Sequence, residues 1–493
     1  MSSPALGTAR RNDRAVLVIA VLLFSSLCAA LMQSLVIPIQ SELPQLLNTS
    51  VSNASWVVTA TLLGGGVAMP LVGRLADLVG KKPVLVVAAT ILVVGSLVCA
   101  LSDTLSIVLV GRVLQGIAMG YIPVAISMVR EVAPPQMVNG AVAGVSATLG
   151  VGGALGLPLA AWIAQDHDWH ALFWVSTVLA VAMTLLSLAF LPNTHDRHPG
   201  RIDFVGAIGL AIGLVGVLVG VSKGNDWGWG EASTIGMIGG GVVVLLLWGW
   251  FEKRHDDPLV DLGTMSKRPV LLTNIAGVLI GFGMMAQSIV VPQLLELPKA
   301  AGGLGQTILQ AGLWMAPGGL MMMLFSPVSA KLLTRLGGRI TLATGAFVLA
   351  GGYVVAVFMT NAPWQLLIAS CIVCAGVGIG YAAMPTLILS NVPAAEAASS
   401  VSVNTLMRSI GTTVAGAVMA VVLTSQTFVL APGTPEIPTH GAFRLCFVIG
   451  AAAAAAGALV VLMIPRRGRT PEAPVADAPD AARDELVAAA VTE

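Results

Sequence analysis

Arg112 and Gln115 stand three residues apart in GRVLQGIAMGYIP, residues 111–123, inside an apolar run of about residues 106–128. An ionisable side chain at such a position is expensive, about 2.5–3.5 kcal/mol on insertion scales, and is a functional candidate by default. A guanidinium offers five donors in a rigid planar fork, which suits an anionic or carbonyl-bearing group. The same fork can cap backbone carbonyls in a purely structural role, and both readings stay open. Gln115 falls on the same helical face and can share the lining. Gln33, Asn274, Gln287, Asn404 and Arg408 are further polar residues within apolar runs. The amides among them suit either substrate contact or hydrogen bonds between helices worth only about 0.6 kcal/mol each. Met32, Met284, Met285, Met315 and Met321–Met323 add flexible apolar surface, fit for an adaptable binding site or for simple packing.

The second concentration of chemistry is GRLADLVGKK, residues 73–82, with one carboxylate and three cations in a chain that is only 10% charged. Gly73 and Gly80 are expected to turn a loop of about eight residues. Asp77 can pair with Lys81 four positions on, or with a helix N-terminus. Lys82, and Arg130 with Glu131 at the end of a neighbouring run, are placed to join a network that latches helix ends together. Ordinary loop charges anchoring topology are the alternative.

What is missing narrows the chemistry. Asp77, Glu131, Asp203, Glu252 and Glu396 fall at one set of run edges. Glu42, Asp103, Asp166, Asp226, Glu231, Glu296 and Glu436 fall at the other, and none is at mid-depth. A cationic ligand would lack a buried counter-charge, so a neutral or anionic amphiphile is expected. His167/His170 and His195/His198 each make an H-x-x-H without further ligands nearby, so no metal is expected. Cys371 and Cys374 form a C-x-x-C inside an apolar run and read as packing. The chain has no phosphate loop, nucleophile elbow or basic nucleic-acid face, so no enzyme, cofactor or nucleic-acid partner is expected.

The elements that must position these residues are legible from the apolar pattern. Apolar residues make up 56% of the 493, and fourteen apolar runs of about 20 recur from residue 15 to 465. Each is long enough to cross about 30 Å of hydrocarbon as a helix. Lys and Arg concentrate in alternate loops, which places both termini in the cytoplasm of a multi-pass protein of the cytoplasmic membrane. AKLLTRLGGRITL, residues 330–342, aligns without gaps on GRLADLVGKKPVL, residues 73–85, at an offset of 257. GIAMGY (116–121) and GVGIGY (376–381) echo each other at 260. A shared displacement indicates a duplicated unit of six spans with two extra spans between, an arrangement used by secondary transporters. The expected organisation is a short N-terminus to residue 14, a bundle over 15–200, an insert over 201–268, a second bundle over 269–465 and a disordered tail over 466–493.

GRLADLVGKK resembles the signature loop of the major facilitator superfamily, G-x-L-A-D-x-x-G-R/K-K. Residues 111–123 are similar to that superfamily's fourth-helix motif. WVVTATLLGGGVAMPLVGRLAD (56–77) and NTLMRSIGTTVAGAV (404–418) resemble helices of its fourteen-span drug:proton antiporter branch. The resemblance implies an all-α fold of two six-helix bundles plus two inserted helices. It further implies export of drugs, antibiotics or the cell's own metabolites, by a monomer that rocks between two states on the proton gradient. It also implies substrate or proton handling by Arg112. Three departures stand out. Met32, in LMQSLV, replaces a first-helix acid; GALGLPLAA (153–161) displaces the fifth-helix proline to Pro158; and WHALF (169–173) has lost an arginine. Any coupling proton must then use an unusual acceptor, Glu42 or an edge carboxylate, with uncoupled export or lipid export as the alternatives.

Overall fold

The structure, a computed structural model, describes residues 4–36, 39, 42–193, 201–429 and 437–465. His195, His198, Glu436 and the tail from Arg466 lie outside the described residues.

In chain order the first half runs α1 (Pro4–Ser34), α2 (Leu43–Leu46), α3 (Val51–Ala54), α4 (Trp56–Val79), α5 (Lys81–Ala100), α6 (Leu105–Ile117), α7 (Tyr121–Val132), α8 (Pro135–Asp166) and α9 (His170–Phe190). Then come α10 (Phe204–Trp227), α11 (Ala232–Glu252) and α12 (Leu262–Met265). The second half comprises α13 (Arg268–Glu296), α14 (Ile308–Phe358), α15 (Pro363–Gly380), α16 (Ala383–Leu389), α17 (Ala397–Ser425) and α18 (His440–Leu462). A two-residue ribbon, Thr427–Phe428 with Ile437–Pro438, is the only strand pairing among the described residues. Helix starts follow local chemistry. Proline occupies the first turn of α8, α13 and α15, where its missing N–H costs nothing. Thr307 and Gln310 form a reciprocal capping box on α14, at 3.2 and 3.0 Å.

Thirteen of these helical stretches are long and apolar enough to cross a membrane. The longest, the 51-residue α14, contains Gly337 at φ 78° and ψ 168°, so it is two helices meeting at one non-helical residue. Gly80, the residue aligned with Gly337 in the repeat, has φ 103° and ψ 152° and joins α4 to α5 in the same way. Both sites need a backbone that residues with a Cβ rarely adopt, which is why glycine stands at each. The expected eight-residue loop at 73–82 is therefore absent: α4 stays helical through Val79 and a single glycine makes the turn.

The two halves repeat their packing. α1 packs on α8 and α9, α4 and α5 on α6, and α5 on α9. In the second half α13 packs on α17 and α18, and α14 on α15 and α18. Contacts between halves are correspondingly paired, α4 with α17 and α14 with α8, while α10 sits against α4 and α17 and carries α11 on its outer side. α11 buries only Thr234, Gly241 and Glu252, and its Val243, Leu246, Leu247 and Trp250 face outward. The fourth apolar run is interrupted by a 3-10 turn, Ala118–Gly120, between α6 and α7.

Candidate functional site

At the end of the bundle that carries Gly80, the two halves are joined by a carboxylate. Asp77, one turn from the end of α4 and 2% exposed, accepts hydrogen bonds from the Ala398 and Ser399 N–H groups, at 3.0 and 2.8 Å. These are orphan donors in the first turn of α17. The bonds and the helix dipole both work against the cost of burying that charge. Of the two partners the sequence offered, the helix N-terminus holds Asp77, and Lys81 pairs instead with Glu131 at the end of α7. Gly73 is required by the same contact. A Cβ there would come within 2.8 Å of the Ala398 carbonyl oxygen and overlap the Ser402 hydroxyl, so α4 and α17 could not approach. Lys82 is half-buried, Arg130 is exposed, and neither makes an ion pair among the described residues. In the second half the residue aligned with Asp77 is Thr334, whose hydroxyl bonds only to its own helix, so the clasp exists on one side alone.

Further along the first half, Arg112 is 3% exposed and tied down on two sides. Its Nε donates to the Val57 carbonyl on α4 at 3.0 Å, and Nη1 donates to Gln115 Oε1 at 2.7 Å. Gln115 Nε2 in turn donates to Ser96 Oγ on α5 at 3.0 Å. The network lines a cavity of about 10 Å³ together with Met32, Gln33 and Thr61. That is roughly one water's worth of space. Four of the residues singled out from the sequence thus converge, although the cavity is too small here for more than a water. Ser96 and Thr61, common residue types in apolar runs, gave no signal.

The second-half residues do not join them. Asn404 donates to Asn274 at 2.9 Å, linking α17 to α13. Arg408 lies over the Tyr381 ring at 4.2 Å. Gln287 donates its side-chain amide to Cys374 Sγ at 3.6 Å and its backbone N–H to Tyr353 at 3.0 Å, leaving Oε1 buried and unpaired.

Two residues at the end of the bundle away from Gly80 are also engaged. Lys223 is 1% exposed because α10 continues helical through Trp227 and turns this face to α4. It donates to Ser55 Oγ at 2.6 Å and Asp226 Oδ2 at 3.0 Å, and sits 5.1 Å from the Trp56 ring. His170, in the WHALF stretch that has lost an arginine, stands 2.5 Å from Asp168 and 3.3 Å from Asp103. The backbone N–H of His170, and then its ring, hold the Asp168 carboxyl below the usual range.

Comparison with known proteins places this geometry. The chain is 29% identical over 292 residues to an uncharacterized MFS-type transporter of Mycobacterium tuberculosis, a match covering 59% of this chain and 42% of that protein. It is 24% identical over 349 residues to the multidrug transporter protein MdtP of Bacillus subtilis, covering 69% and 62%. It is 26% identical over 310 residues to the lincomycin resistance protein LmrB of Listeria monocytogenes, covering 62% and 64%. In each case the match spans less than two thirds of the relative's length. The fold is that of the human organic anion transporter MFSD10, with TM-score 0.64, 15% identity and coverage of 91% and 99%. It is also that of the proton:xylose symporter XylE, with TM-score 0.62, 15% identity and coverage of 92% and 96%. The family model for the Major Facilitator Superfamily matches residues 22–416, which contain the Asp77 clasp, the Arg112 network and both inserted helices. By sequence and by fold alike, the chain belongs to the major facilitator superfamily.

Proposed function

We propose that the protein is a secondary active exporter of small amphipathic compounds, neutral or anionic, driven by the proton gradient across the cytoplasmic membrane. It works as a monomer, with both termini in the cytoplasm. The observation that carries the reading is the Asp77 clasp. A buried carboxylate of one half is bonded to the helix N-terminus of the other, and these are bonds that must break before the Gly80 end can open. The names of the relatives, a multidrug transporter and a lincomycin resistance protein, support the substrate class. In this reading the Arg112–Gln115 network meets an anionic or carbonyl-bearing substrate when the bundle opens, and its donors exchange from the Val57 carbonyl to that group. Among the described residues no buried acid lines that network to balance a permanent cation. Asn274, Gln287, Asn404 and Arg408 present the second half's polar surface to the same path. The test is transport in proteoliposomes across a panel of amphiphiles differing in charge, with and without a proton gradient. Gradient-driven extrusion of the permanent cation ethidium, at rates matching neutral analogues, would refute the substrate class.

A second reading, lipid or glycolipid export, is favoured by one observation. A groove of about 680 Å³ between α4, α5 and α6 is almost wholly apolar and is reached by Val215 of the inserted α10. It predicts lipid co-purifying with the protein and displaced by no drug of the panel.

A further inference from the structure

α11 turns its apolar residues outward and buries only three side chains or backbone positions, yet one of these is an acid. Glu252, at its last turn, is 2% exposed and faces Asp203, the N-cap of α10, which is 5% exposed. Each carboxylate has one oxygen engaged: Asp203 Oδ1 accepts from Gly206 N–H at 2.8 Å, and Glu252 Oε1 accepts from Val260 N–H at 2.7 Å. The other two oxygens, Asp203 Oδ2 and Glu252 Oε2, are both buried and both without a partner. They converge on one point. A Cβ built on Gly206 would sit 2.2 Å from Oδ2 and 2.7 Å from Oε2, so the two oxygens lie at most 4.9 Å apart, the sum of those distances. The indole Nε1 of Trp248, one turn before Glu252 on α11, is a further buried and unpartnered group in this interface, with its ring against Gly209.

Two ionised carboxylates cannot stay buried this close with bare oxygens facing each other. Among the described residues no cation forms an ion pair with either acid, and of the cations only the exposed His255 acts on Glu252 through space. Lys253, Arg254 and His255 next to Glu252 are exposed, with Arg254 laid on the Trp250 ring and His255 stacked on Phe251. Arg201, beside Asp203, is exposed as well. The acids Asp256 and Asp257 in the same connection add negative charge only. From α4 and α17, the other helices against α10, Asp77 is committed to the α17 N-terminus, Arg408 to Tyr381, and Arg74 acts on Glu396 at the start of α17. A hard metal ion would need six or more oxygens, and among the described residues no group of three or more His, Cys, Asp or Glu is placed to hold one. A single proton satisfies the geometry. Bound to one oxygen, it makes that oxygen a donor and the other an acceptor, leaving one net negative charge on the pair.

We propose that Asp203 and Glu252 form a proton-binding site between the two inserted helices, sharing one proton taken from water at the Gly80 end of the bundle. α10 packs on both α4 and α17, the helices joined by Asp77. Loss of the proton therefore sets like charges against each other beside the clasp and separates the ends of α10 and α11. What the proton is used for rests on the proton-coupled reading above; its binding does not.

The test is an infrared pH titration of the full-length protein in nanodiscs, on wild type, Asp203→Asn, Glu252→Gln and the double variant. Each amide replaces an acid by an isostere that can donate to the remaining carboxylate. The expected result is a protonated-carboxyl band at pH 7 in wild type, equivalent to one proton per chain and lost in all three variants. A wild-type band that survives intact in the double variant overturns the site. Should an amide variant misfold, Gly206→Ala supplies the second arm: its Cβ wedges between the oxygens and must shift or remove the band. Gradient-driven efflux is measured on the same proteins. Gradient-driven export with no such band overturns the carboxylate pair and leaves the exporter standing. A variant-sensitive band with gradient-independent export supports the site and overturns the coupled reading.

Discussion

Replacing Asp77 by Asn should release the Gly80 end of the bundle. The carboxylate accepts two charge-assisted hydrogen bonds, at 3.0 and 2.8 Å, from the first turn of α17. Bonds of this kind contribute about 1.5–3 kcal/mol each, and the helix dipole adds up to about 1 kcal/mol. Asn keeps one acceptor but turns an amide donor toward the second N–H, so one bond and the charge are lost. The closed state then loses about 2–4 kcal/mol relative to the open one. At about 1.4 kcal/mol per tenfold, the closed-to-open ratio falls between roughly 30-fold and several hundredfold. Spin labels at Val79 and Ala394, both exposed at this end, read that shift as a distance distribution in a background freed of the five native cysteines. A second, longer population should emerge in Asp77→Asn and grow in Asp77→Ala. Distributions unchanged in both variants would show that this carboxylate does not hold the halves together.

Three further outcomes follow from the same structure. Arg112→Ala leaves Gln115 Oε1 unpaired at a buried site, costing about 1–3 kcal/mol, while the Val57 carbonyl keeps its bond from Thr61 Oγ1. Thermal unfolding in detergent should report the loss, and Arg112→Lys should not restore transport because an ammonium cannot reproduce the fork. Gly80→Ala and Gly337→Ala place a Cβ at φ 103° and 78°, which should cost about 1–3 kcal/mol each, a loss that unfolding measurements would read. Only the Gly80 variant should also loosen the Asp77 clasp, since Thr334 makes no such bond across the halves. Lys223→Met removes the cation that links α10 to Ser55 at the start of α4 and pairs with Asp226 in its own helix, and should lower the unfolding temperature more than Lys331→Met at an exposed site.

The spans, the repeat and the break points were legible because they follow from one-dimensional rules. A chain buried in hydrocarbon must satisfy its backbone within each helix, so runs of about 20 apolar residues announce themselves. The gapless alignment of residues 330–342 on 73–85 likewise brings Gly337 onto Gly80, and both take the same rare backbone conformation. Boundaries were less legible. α10 runs on to Trp227, and α4 continues to Val79 where a loop was expected, because partners across the interface keep polar residues comfortable inside a helix. Lys223 and Asp77 are the two instances.

For the candidate site, the apolar runs marked Arg112, Gln115 and Gln33 as polar residues out of place, Met32 stood out as flexible apolar surface and by the family resemblance, and the fold gathers all four around one small cavity. What no pattern along the chain could supply was the choice among partners. Asp77 had Lys81 four residues away and instead bonds to Ala398 and Ser399, 321 and 322 positions on. Asp203 and Glu252 looked like two separate edge charges until α10 packed on α11. A sequence records which groups are costly to bury, because that cost depends on the group itself. Which neighbour repays it depends on helices distant in the chain arriving at one point, and only the tertiary structure decides that.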